Sequence, residues 1–480
     1  MNSLRFAMGL LVVALAACGA SEAPPAAGER ARPDDAAAAF PVAQATVTGP
    51  ITGGARGHAL WDSWFDLDPL GYVDEEYFIS GRAKVQPDGD EADYTTRVIV
   101  TRPRSRADFN GTVVLDWVNV TAQFENPVDI LESHAYLMRN GYAFVHVSAQ
   151  AAGVCCTPLT PQVWDPVRYA GLSHPGDDWA FDMFAQIAQA LRAPADVDPM
   201  GGLRVKRVLA MGQSQSAQKL HDYVNLGYAR SRMIDGILIH GDVGSGKAFT
   251  ELPVPVLQLL SDYEADPEEP APANSDNYRL WEIAGTAHTD QYVGLHQIEG
   301  QGPRTLADAP RMPASADADL HVSVGNYGEQ VTPFDAVCTA AGASFPMRYA
   351  VNAALGYLNR WDGKAHAPPF GARFAFDDAG VLARDEYDNA LGGIRYPPVD
   401  VPVASYVSTT CQLGGFTVPF TEVQLVTLYP THADYFCRMQ AATRQSVMAG
   451  YLLPEDAEDL MTRVEGAANR WLMAGERDCP

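Results

Sequence analysis

Eight short runs of apolar and β-branched residues recur along the first 290 residues, and they predict a sheet. The first two, at 77–85 and 94–101, alternate apolar with polar positions, which is typical of antiparallel strands. The other six are mostly apolar and indicate strands that are buried on both faces. They lie at 112–118, 142–148, 208–211, 236–240, 255–260 and 278–283. The pattern therefore predicts an eight-stranded, mostly parallel sheet.

Helical periodicity appears between several of these runs. Trp179, Phe181, Phe184, Ile187 and Leu191 are spaced for one helix face and predict a helix that packs on the sheet. Strands that alternate with helices indicate a doubly wound α/β domain, with helices on both faces. Ligands of such domains bind at the carboxyl ends of the strands.

Beyond residue 300 the periodicity is weaker. The pattern predicts a helix over 345–361, a strand over 420–429 and a helix over 457–473. We interpret 46–300 as the α/β core and 301–480 as a C-terminal extension that packs on it as a cap or second layer.

The first 18 residues have the pattern of a secretory signal. Arg5 precedes the apolar run 6–14, which is too short to span a membrane, and Leu-Ala-Ala-Cys closes the segment. This ending resembles the bacterial lipobox, which implies cleavage before Cys18 and lipidation of its thiol. Gly19 at the next position is typical of delivery to the outer membrane, where acyl chains on Cys18 would anchor the protein. An ordinary signal with a chance cysteine is the alternative.

Composition, net charge and the spacing of cysteine and histidine limit the partners and cofactors that the sequence predicts. Residues 19–45 are rich in alanine and proline without periodicity, which predicts a flexible tether. The net charge of −25 and the lack of a basic cluster argue against nucleic acid as a partner. Six cysteines follow Cys18 and allow up to three disulfides in an exported chain. No Cys-x-x-Cys or His-x-x-x-His spacing supports a metal site, and nothing implies a cofactor or an oligomeric state.

The run Gly-Gln-Ser-Gln-Ser at 212–216 carries the main candidate for chemistry. It follows the apolar run 208–211 and precedes good helix formers, so Ser214 would lie at the apex of a strand–turn–helix elbow. Such an elbow exposes a nucleophilic serine above the sheet. Ser216 occupies the position where glycine is commoner, and Gly-x-Ser turns also occur for purely structural reasons.

A serine nucleophile needs a histidine base and a carboxylate that orients it, and their chain order is nucleophile, acid, histidine. His288 follows the last strand, on the loop 284–290, and is the candidate base. His432, in the run Tyr-Pro-Thr-His at 429–432, is the competitor.

The acid should follow the strand at 255–260. Glu264 is the first choice, since it stands three positions after the small residue Ser261 at the strand end. Asp262 is the alternative and Asp266 the third choice. Asp242, one strand earlier, is also possible.

An oxyanion hole needs backbone N–H groups that point to the developing negative charge. One should belong to Gln215, directly after the nucleophile. The other should come from the loop after 112–118, which begins with Asn119 and Val120 in place of the usual His-Gly-Gly.

Six segments carry distinctive residue runs: Tyr72–Gly81, Trp117–Val120, His174–Asp177, Gly212–Ser216, Trp281–His288 and Leu428–His432. Together they resemble a family of bacterial proteins called alpha/beta hydrolase domain-containing, over about 49–451. The resemblance implies an α/β-hydrolase fold with Ser214 and His288 as catalytic residues. The run Ser-Asp-Tyr-Glu at 261–264 stands where we associate Ser-Glu-Thr-Asp with the family, so Asp262 and Glu264 both stay open.

The sequence therefore favours a serine hydrolase that cleaves small or polymeric carboxylic esters through an acyl-enzyme. Acyl transfer or amide hydrolysis by the same residues is one alternative, because a fold does not fix a function. A binding lipoprotein that keeps the fold without turnover is the other.

Overall fold

The structure is a computed structural model that describes residues 41–242, 248–267, 274–313, 343–362, 366–408, 413–467 and 471–479. The signal segment with Cys18, and most of the expected tether, lie outside the described residues, as do Cys338 and Cys411. Within the described ranges, no helix is both long enough and apolar enough to cross a bilayer.

A nine-stranded sheet forms the centre of the fold, in the order β1-β2-β3-β5-β4-β6-β7-β8-β9. Its strands are β1 (Thr46–Thr48), β2 (Tyr72–Lys84), β3 (Glu91–Pro103), β4 (Thr112–Trp117), β5 (Ala143–Val147), β6 (Arg207–Gln213), β7 (Gly236–His240), β8 (Val256–Ser261) and β9 (Tyr278–Ile283). The strands from β5 to β9 along this order are mutually parallel, whereas β1, β2 and β3 pair antiparallel. The mostly parallel sheet is confirmed.

All eight expected strands are present. The structure adds a ninth strand, β1, so the expected count of eight was one too low. This edge strand has only three residues, Thr46–Thr48, which is too short for any periodic signal. It pairs with β2, with Val47 opposite Ile79.

Helices cover both faces of the sheet. They are α1 (Val128–Arg139), α2 (Ala151–Val154), α3 (Pro161–Trp164), α4 (Ala180–Arg192), α5 (Gln215–Asn225), α6 (Gln291–Leu295), α7 (Gly302–Ala307), α8 (Met347–Leu358), α9 (Pro397–Asp400), α10 (Glu422–Leu428), α11 (His432–Ala449) and α12 (Pro454–Gly466). A π-helical segment, His296–Gln301, joins α6 to α7, and β10 (Ala404–Val407) pairs with β11 (Phe416–Pro419). The helices expected at 179–191 and 345–361 are α4 and α8.

Alternate residues of the buried strands pack on opposite helical layers. Val114 of β4 belongs to the hydrophobic cluster that includes α1 and α8, whereas Val113 and Leu115 pack with α4 and α5. The first cluster also takes in residues of α11 and α12. Much of the chain after residue 300 therefore packs on the sheet face that α1 covers.

The strand expected over 420–429 is wrong, because Glu422–Leu428 forms α10. Thr421 starts this helix with a capping box: its hydroxyl accepts from the Gln424 N–H at 3.3 Å, and the Gln424 side chain accepts from the Thr421 N–H at 2.9 Å. These reciprocal hydrogen bonds satisfy two otherwise unpaired helix donors and outweigh the strand preference of the valines in this segment. The last helix, α12, begins and ends earlier than the range 457–473.

Candidate active site

Ser214 lies at the sharp turn between β6 and α5, with φ 62° and ψ −121°. Non-glycine residues rarely adopt positive φ, and such backbone strain persists only where neighbouring contacts impose it. Here the Ser214 N–H donates to the carbonyl of His240 at 2.8 Å, which ties the turn to β7. A Cβ on Gly212 would lie 3.0 Å from the carbonyl oxygen of Ser216, so strand and helix cross too closely for a side chain. The turn has the backbone form of the expected elbow.

His288 and Glu264 are brought together at the ends of β9 and β8. Both side chains are buried, and Nδ1 of His288 contacts Oε1 of Glu264. The other carboxylate oxygen, Oε2, accepts from the N–H of Ser261 at 2.6 Å and from its hydroxyl at 2.7 Å. Burial would raise the pKa of Glu264, but the charge of His288 and these hydrogen bonds outweigh it and lower the pKa. An ionised Glu264 accepts the Nδ1 proton and leaves Nε2 of His288 as the basic nitrogen.

Two contacts connect His288 with the elbow. Gln213, directly before Ser214, donates from Nε2 to the carbonyl of His288 at 2.9 Å. Gly241, with φ +62°, lies against the imidazole: a Cβ there would be 3.3 Å from both Cε1 and Nδ1 of His288. Glycine at 241 therefore lets β7 end beside the ring. The chain order His-Gly-Asp after a buried strand is the sequence signal that could have indicated this close approach.

Asp262, the alternative acid, faces away from His288. Its Oδ1 accepts from the Gly285 N–H at 2.9 Å, and its Oδ2 accepts from the Ser408 hydroxyl at 2.9 Å. Burial raises the pKa of Asp262 to about 7, although these two hydrogen bonds act against the rise. Asp262 supports the turn that leads to His288 and does not orient the imidazole.

The remaining candidates of the sequence are exposed or have other partners. Asp266 is exposed, and Asp242 contacts Nδ1 of His221 at 2.9 Å. His432 is buried at the start of α11, where Nε2 donates to the carbonyl of Val464 at 2.9 Å.

The residues expected to form an oxyanion hole lie on either side of Ser214. Gln215 is the first residue of α5, where backbone N–H groups have no partner within the helix. On the other side, the Asn119 side chain donates from Nδ2 to the carbonyl of Gln213 at 3.0 Å, and its Oδ1 accepts from the Thr121 N–H at 2.9 Å. Val120 is buried next to Asn119. The loop after β4 is therefore attached directly to the elbow.

Sequence reasoning missed Glu125, which lies near the end of this loop. Glu125 is fully buried and accepts from Nη2 of Arg97 and, at 2.9 Å, from Nε2 of His146. Burial would raise the pKa of Glu125, but the charges of Arg97 and His146 prevail and lower it to about 2. The ionised carboxylate thus ties the loop to β3 and β5.

Gln150 was also missed, although the run at 174–177 offered a partial signal. Its Oε1 accepts from Trp117 Nε1 at 3.1 Å and from Gln215 Nε2 at 3.0 Å, and its Nε2 donates to Asp177 Oδ2 at 2.8 Å. Gln150 therefore joins three of the segments that carry the family resemblance.

Two disulfides lie in the described residues. Cys155 and Cys156 are adjacent in the chain and bonded to each other, and Cys437 pairs with Cys479. Among the residues that the structure describes, no group of three or more His, Cys, Asp or Glu side chains could hold a metal ion.

Solved structures similar to this chain include hydrolases, at low identity. The esterase Est22 is 13% identical over 41% of this chain and 67% of its own, with a TM-score of 0.25. A putative dienelactone hydrolase from Klebsiella pneumoniae subsp. pneumoniae is 13% identical over 49% and 83%, with a TM-score of 0.22. A prolyl endopeptidase is 12% identical over 45% and 35%, with a TM-score of 0.25. These likenesses carry no argument about activity.

No curated protein matches the chain at a significant level. The sequence model of the alpha/beta hydrolase domain, in contrast, matches residues 47–462, which is most of the chain. The match includes the strand–turn–helix elbow, the His288–Glu264 pair and the loop after β4. The chain therefore belongs to the alpha/beta hydrolase domain family.

Proposed function

We propose that this protein is a serine hydrolase that cleaves carboxylic esters through an acyl-enzyme. The observation that carries the proposal is the buried His288–Glu264 pair, hydrogen-bonded through Gln213 to the turn that holds Ser214. A serine hydroxyl is a weak nucleophile near neutral pH, and a histidine oriented by a carboxylate is the usual means of activating it.

In the first half of the reaction, Ser214 Oγ attacks the ester carbonyl carbon. The hydroxyl proton passes to Nε2 of His288, and the carbonyl π electrons move to the oxygen. The resulting oxyanion receives hydrogen bonds from the Gln215 N–H and from the loop that begins at Asn119 and Val120. Each such donor contributes about 2.7–4 kcal/mol to the transition state. Collapse of this intermediate breaks the bond to the alcohol, which leaves with the proton from His288.

Water completes the cycle. His288 takes a proton from a water molecule that attacks the acyl carbon, and it then returns this proton to Ser214 Oγ as the carboxylic acid departs. Glu264 remains ionised throughout and stabilises the imidazolium that forms twice in each cycle. The lowered pKa of Glu264 supports this role, because the ionised carboxylate supplies the negative charge that stabilises the imidazolium.

Fluorophosphonate labelling with mass spectrometry tests the proposal on the chain that lacks residues 1–18. We expect the adduct on Ser214, and we expect its rate of formation to fall at least about a hundredfold in His288→Ala, since base catalysis contributes roughly that much or more. Ser214→Ala should not be labelled. His432→Ala is the matched control, because this buried histidine donates to the backbone carbonyl of Val464.

The outcomes separate the alternatives. Labelling of wild type and His432→Ala, together with hydrolysis of p-nitrophenyl butyrate, would support the ester hydrolase. Absence of both from a folded wild-type sample would overturn the proposal and favour a binding protein. Labelling without ester hydrolysis would favour the amidase or acyltransferase alternative.

A further inference from the structure

The side chain of Gln150 is the central member of a hydrogen-bond network next to the elbow. We call this network, formed by Trp117, Gln150, Asp177 and Gln215, the relay. Gln150 is buried just after β5, and Trp117 is fully buried at the end of β4. Asp177 reaches Gln150 from the 3-10 turn before α4, and Gln215 reaches it from the first turn of α5. The relay thus connects four segments of the chain at the carboxyl edge of the sheet.

The chemistry of its neighbours fixes which way the Gln150 amide points. The indole of Trp117 can only donate, so it must face the oxygen Oε1 of Gln150. The Nε2 end of the amide then faces Asp177 and donates to its Oδ2 at 2.8 Å. The same Oε1 is then the acceptor presented to Gln215, which must offer its own Nε2. No other assignment of these two amides satisfies both ends of the relay.

The Gln215 side chain depends on this single hydrogen bond. Its Oε1 is buried and has no hydrogen-bond partner in the described part of the chain. The side chain is attached to Cα, one bond away from the nitrogen of the N–H that would face the oxyanion, at the first residue of α5. Holding the side chain therefore limits rotation of the Ser214–Gln215 peptide.

Two further contacts hold Gln150 in place. Asp177 Oδ1 accepts from the Ala151 N–H at 3.0 Å. His174 donates from Nε2 to the carbonyl of Ala149 at 3.0 Å, and its Nδ1 accepts from the Gly176 N–H at 3.1 Å. The run His-Pro-Gly-Asp at 174–177 therefore forms hydrogen bonds with the backbone on both sides of Gln150 and with the Gln150 side chain.

We infer that Gln150 is a positioning residue of the oxyanion hole, which acts through the side chain of Gln215 on the direction of the Gln215 N–H. The inference rests on the proposed function, since it assigns that N–H to the oxyanion. Displacement of a catalytic group by about 1 Å can cost roughly a hundredfold in rate. Loss of the relay should therefore lower kcat and leave substrate binding almost unchanged.

Gln150→Met is the main test, because methionine nearly preserves the volume and removes every hydrogen bond of the amide. With p-nitrophenyl butyrate we expect kcat to fall about tenfold to a hundredfold, with KM within about twofold of wild type. A trifluoromethyl ketone should lose affinity by the same factor as kcat. Ser214 Oγ adds to its carbonyl carbon, the proton passes to His288, and the carbonyl oxygen becomes an oxyanion in the hole.

Gln186→Met is the matched control. Gln186 is also a fully buried glutamine, which accepts from the Tyr94 hydroxyl at 3.1 Å and donates to Asp182 Oδ2 at 2.9 Å, on α4 and away from Ser214. Urea unfolding of both variants measures the structural cost. We expect comparable losses of stability, with kcat of Gln186→Met within about twofold of wild type.

A double-mutant cycle tests the route through Gln215. Gln215→Met should lower kcat as Gln150→Met does, and the double variant should be no slower than the slower single variant within about twofold, since both remove one link. Three outcomes would overturn the inference while wild type still hydrolyses the ester. The kcat losses of the two single variants could multiply in the double variant, or KM could rise in place of a fall in kcat. The third is a kcat of Gln150→Met equal to that of Gln186→Met. An inactive, unlabelled wild type would overturn the proposed function itself.

Discussion

Two of the buried histidine–carboxylate pairs each join an imidazole to a glutamate, but their surroundings differ. Nδ1 of His288 contacts Glu264, and Nε2 of His146 contacts Glu125 at 2.9 Å. Glu125 also binds the guanidinium of Arg97, which lies in the same closed, fully buried cluster. Glu264 is held on its far side by the backbone and hydroxyl of Ser261.

The difference teaches that such a pair does not by itself mark a catalytic site. Burial lowers the pKa of His146 even though Glu125 acts to raise it, and the arginine balances the carboxylate, so this pair serves as a brace for the loop after β4. His288 instead lies beside the strained turn at Ser214, linked through Gln213. The groups next to the imidazole therefore distinguish a pair that stabilises a loop from a pair that is proposed to act as a catalytic base.

The largest expected effect separates the two pairs by activity. Glu264→Gln keeps the size of the side chain but cannot accept as a carboxylate from Nδ1 of His288, so the imidazolium loses its counter-charge. We expect kcat for p-nitrophenyl butyrate to fall about 10³- to 10⁴-fold, as for loss of the orienting acid in related chemistry. Steady-state kinetics with circular dichroism on the same samples checks this. A fall below tenfold in a folded variant would contradict the role given to Glu264.

The second effect concerns stability. Glu125→Gln leaves the buried Arg97 without one of its carboxylates, and breaking a buried ion pair costs about 3–5 kcal/mol of unfolding free energy. Urea denaturation measures this loss. The kcat of the remaining folded protein should fall less than in Glu264→Gln. If Glu125→Gln lowered kcat as far as Glu264→Gln at unchanged stability, this would contradict the difference in role between the two pairs.

The effect that is smallest per pH unit concerns Asp262. The folded Asp262 has its pKa raised to about 7, so between about pH 4 and 7 the folded protein keeps a proton that the unfolded chain has lost. Stability from this group is present at low pH and is lost as the pH rises through 7, by at most about 1.4 kcal/mol per unit. Asp262→Asn removes this dependence.

The measurement is the difference in unfolding free energy between wild type and Asp262→Asn, taken from pH 4 to 8. We expect wild type to lose stability relative to the variant up to about pH 7 and to level off above it. The lost acceptor adds a constant offset, because only one amide atom can accept from Gly285 or Ser408. A difference that stays constant with pH would contradict the raised pKa.

Local patterns were sufficient for the strands from β2 to β9, because β2 and β3 alternate apolar with polar residues and the six buried strands are mostly apolar. They could not indicate that β5 lies between β3 and β4, which depends on where α1 returns the chain. They also failed for α10, where one capping threonine outweighed the β-branched residues that follow it. Short-range chemistry at a helix start is hard to weigh against propensity from a single sequence.

The residues of the candidate site also fall into those that the sequence could indicate and those that it could not. Ser214, Glu264 and His288 could be proposed because each follows a recognisable strand in a fixed chain order. Gln150 and Glu125 could not, because their partners lie far away in the sequence: Gln150 joins Gln215 across 65 positions. Neither residue stands in a periodic or charged run. Positioning residues such as these two are visible only when the chain is folded.

The backbone at Ser214 also restricts which side chains can stand there. With φ at 62°, a residue branched at Cβ would clash with its own backbone, whereas an unbranched one is tolerated at a modest cost. Cysteine could therefore inherit the position with little rearrangement, but threonine could not. The routes open to mutation at this turn are thus limited by conformation before reactivity matters, and the turn discriminates between two alcohols that differ by a single methyl group.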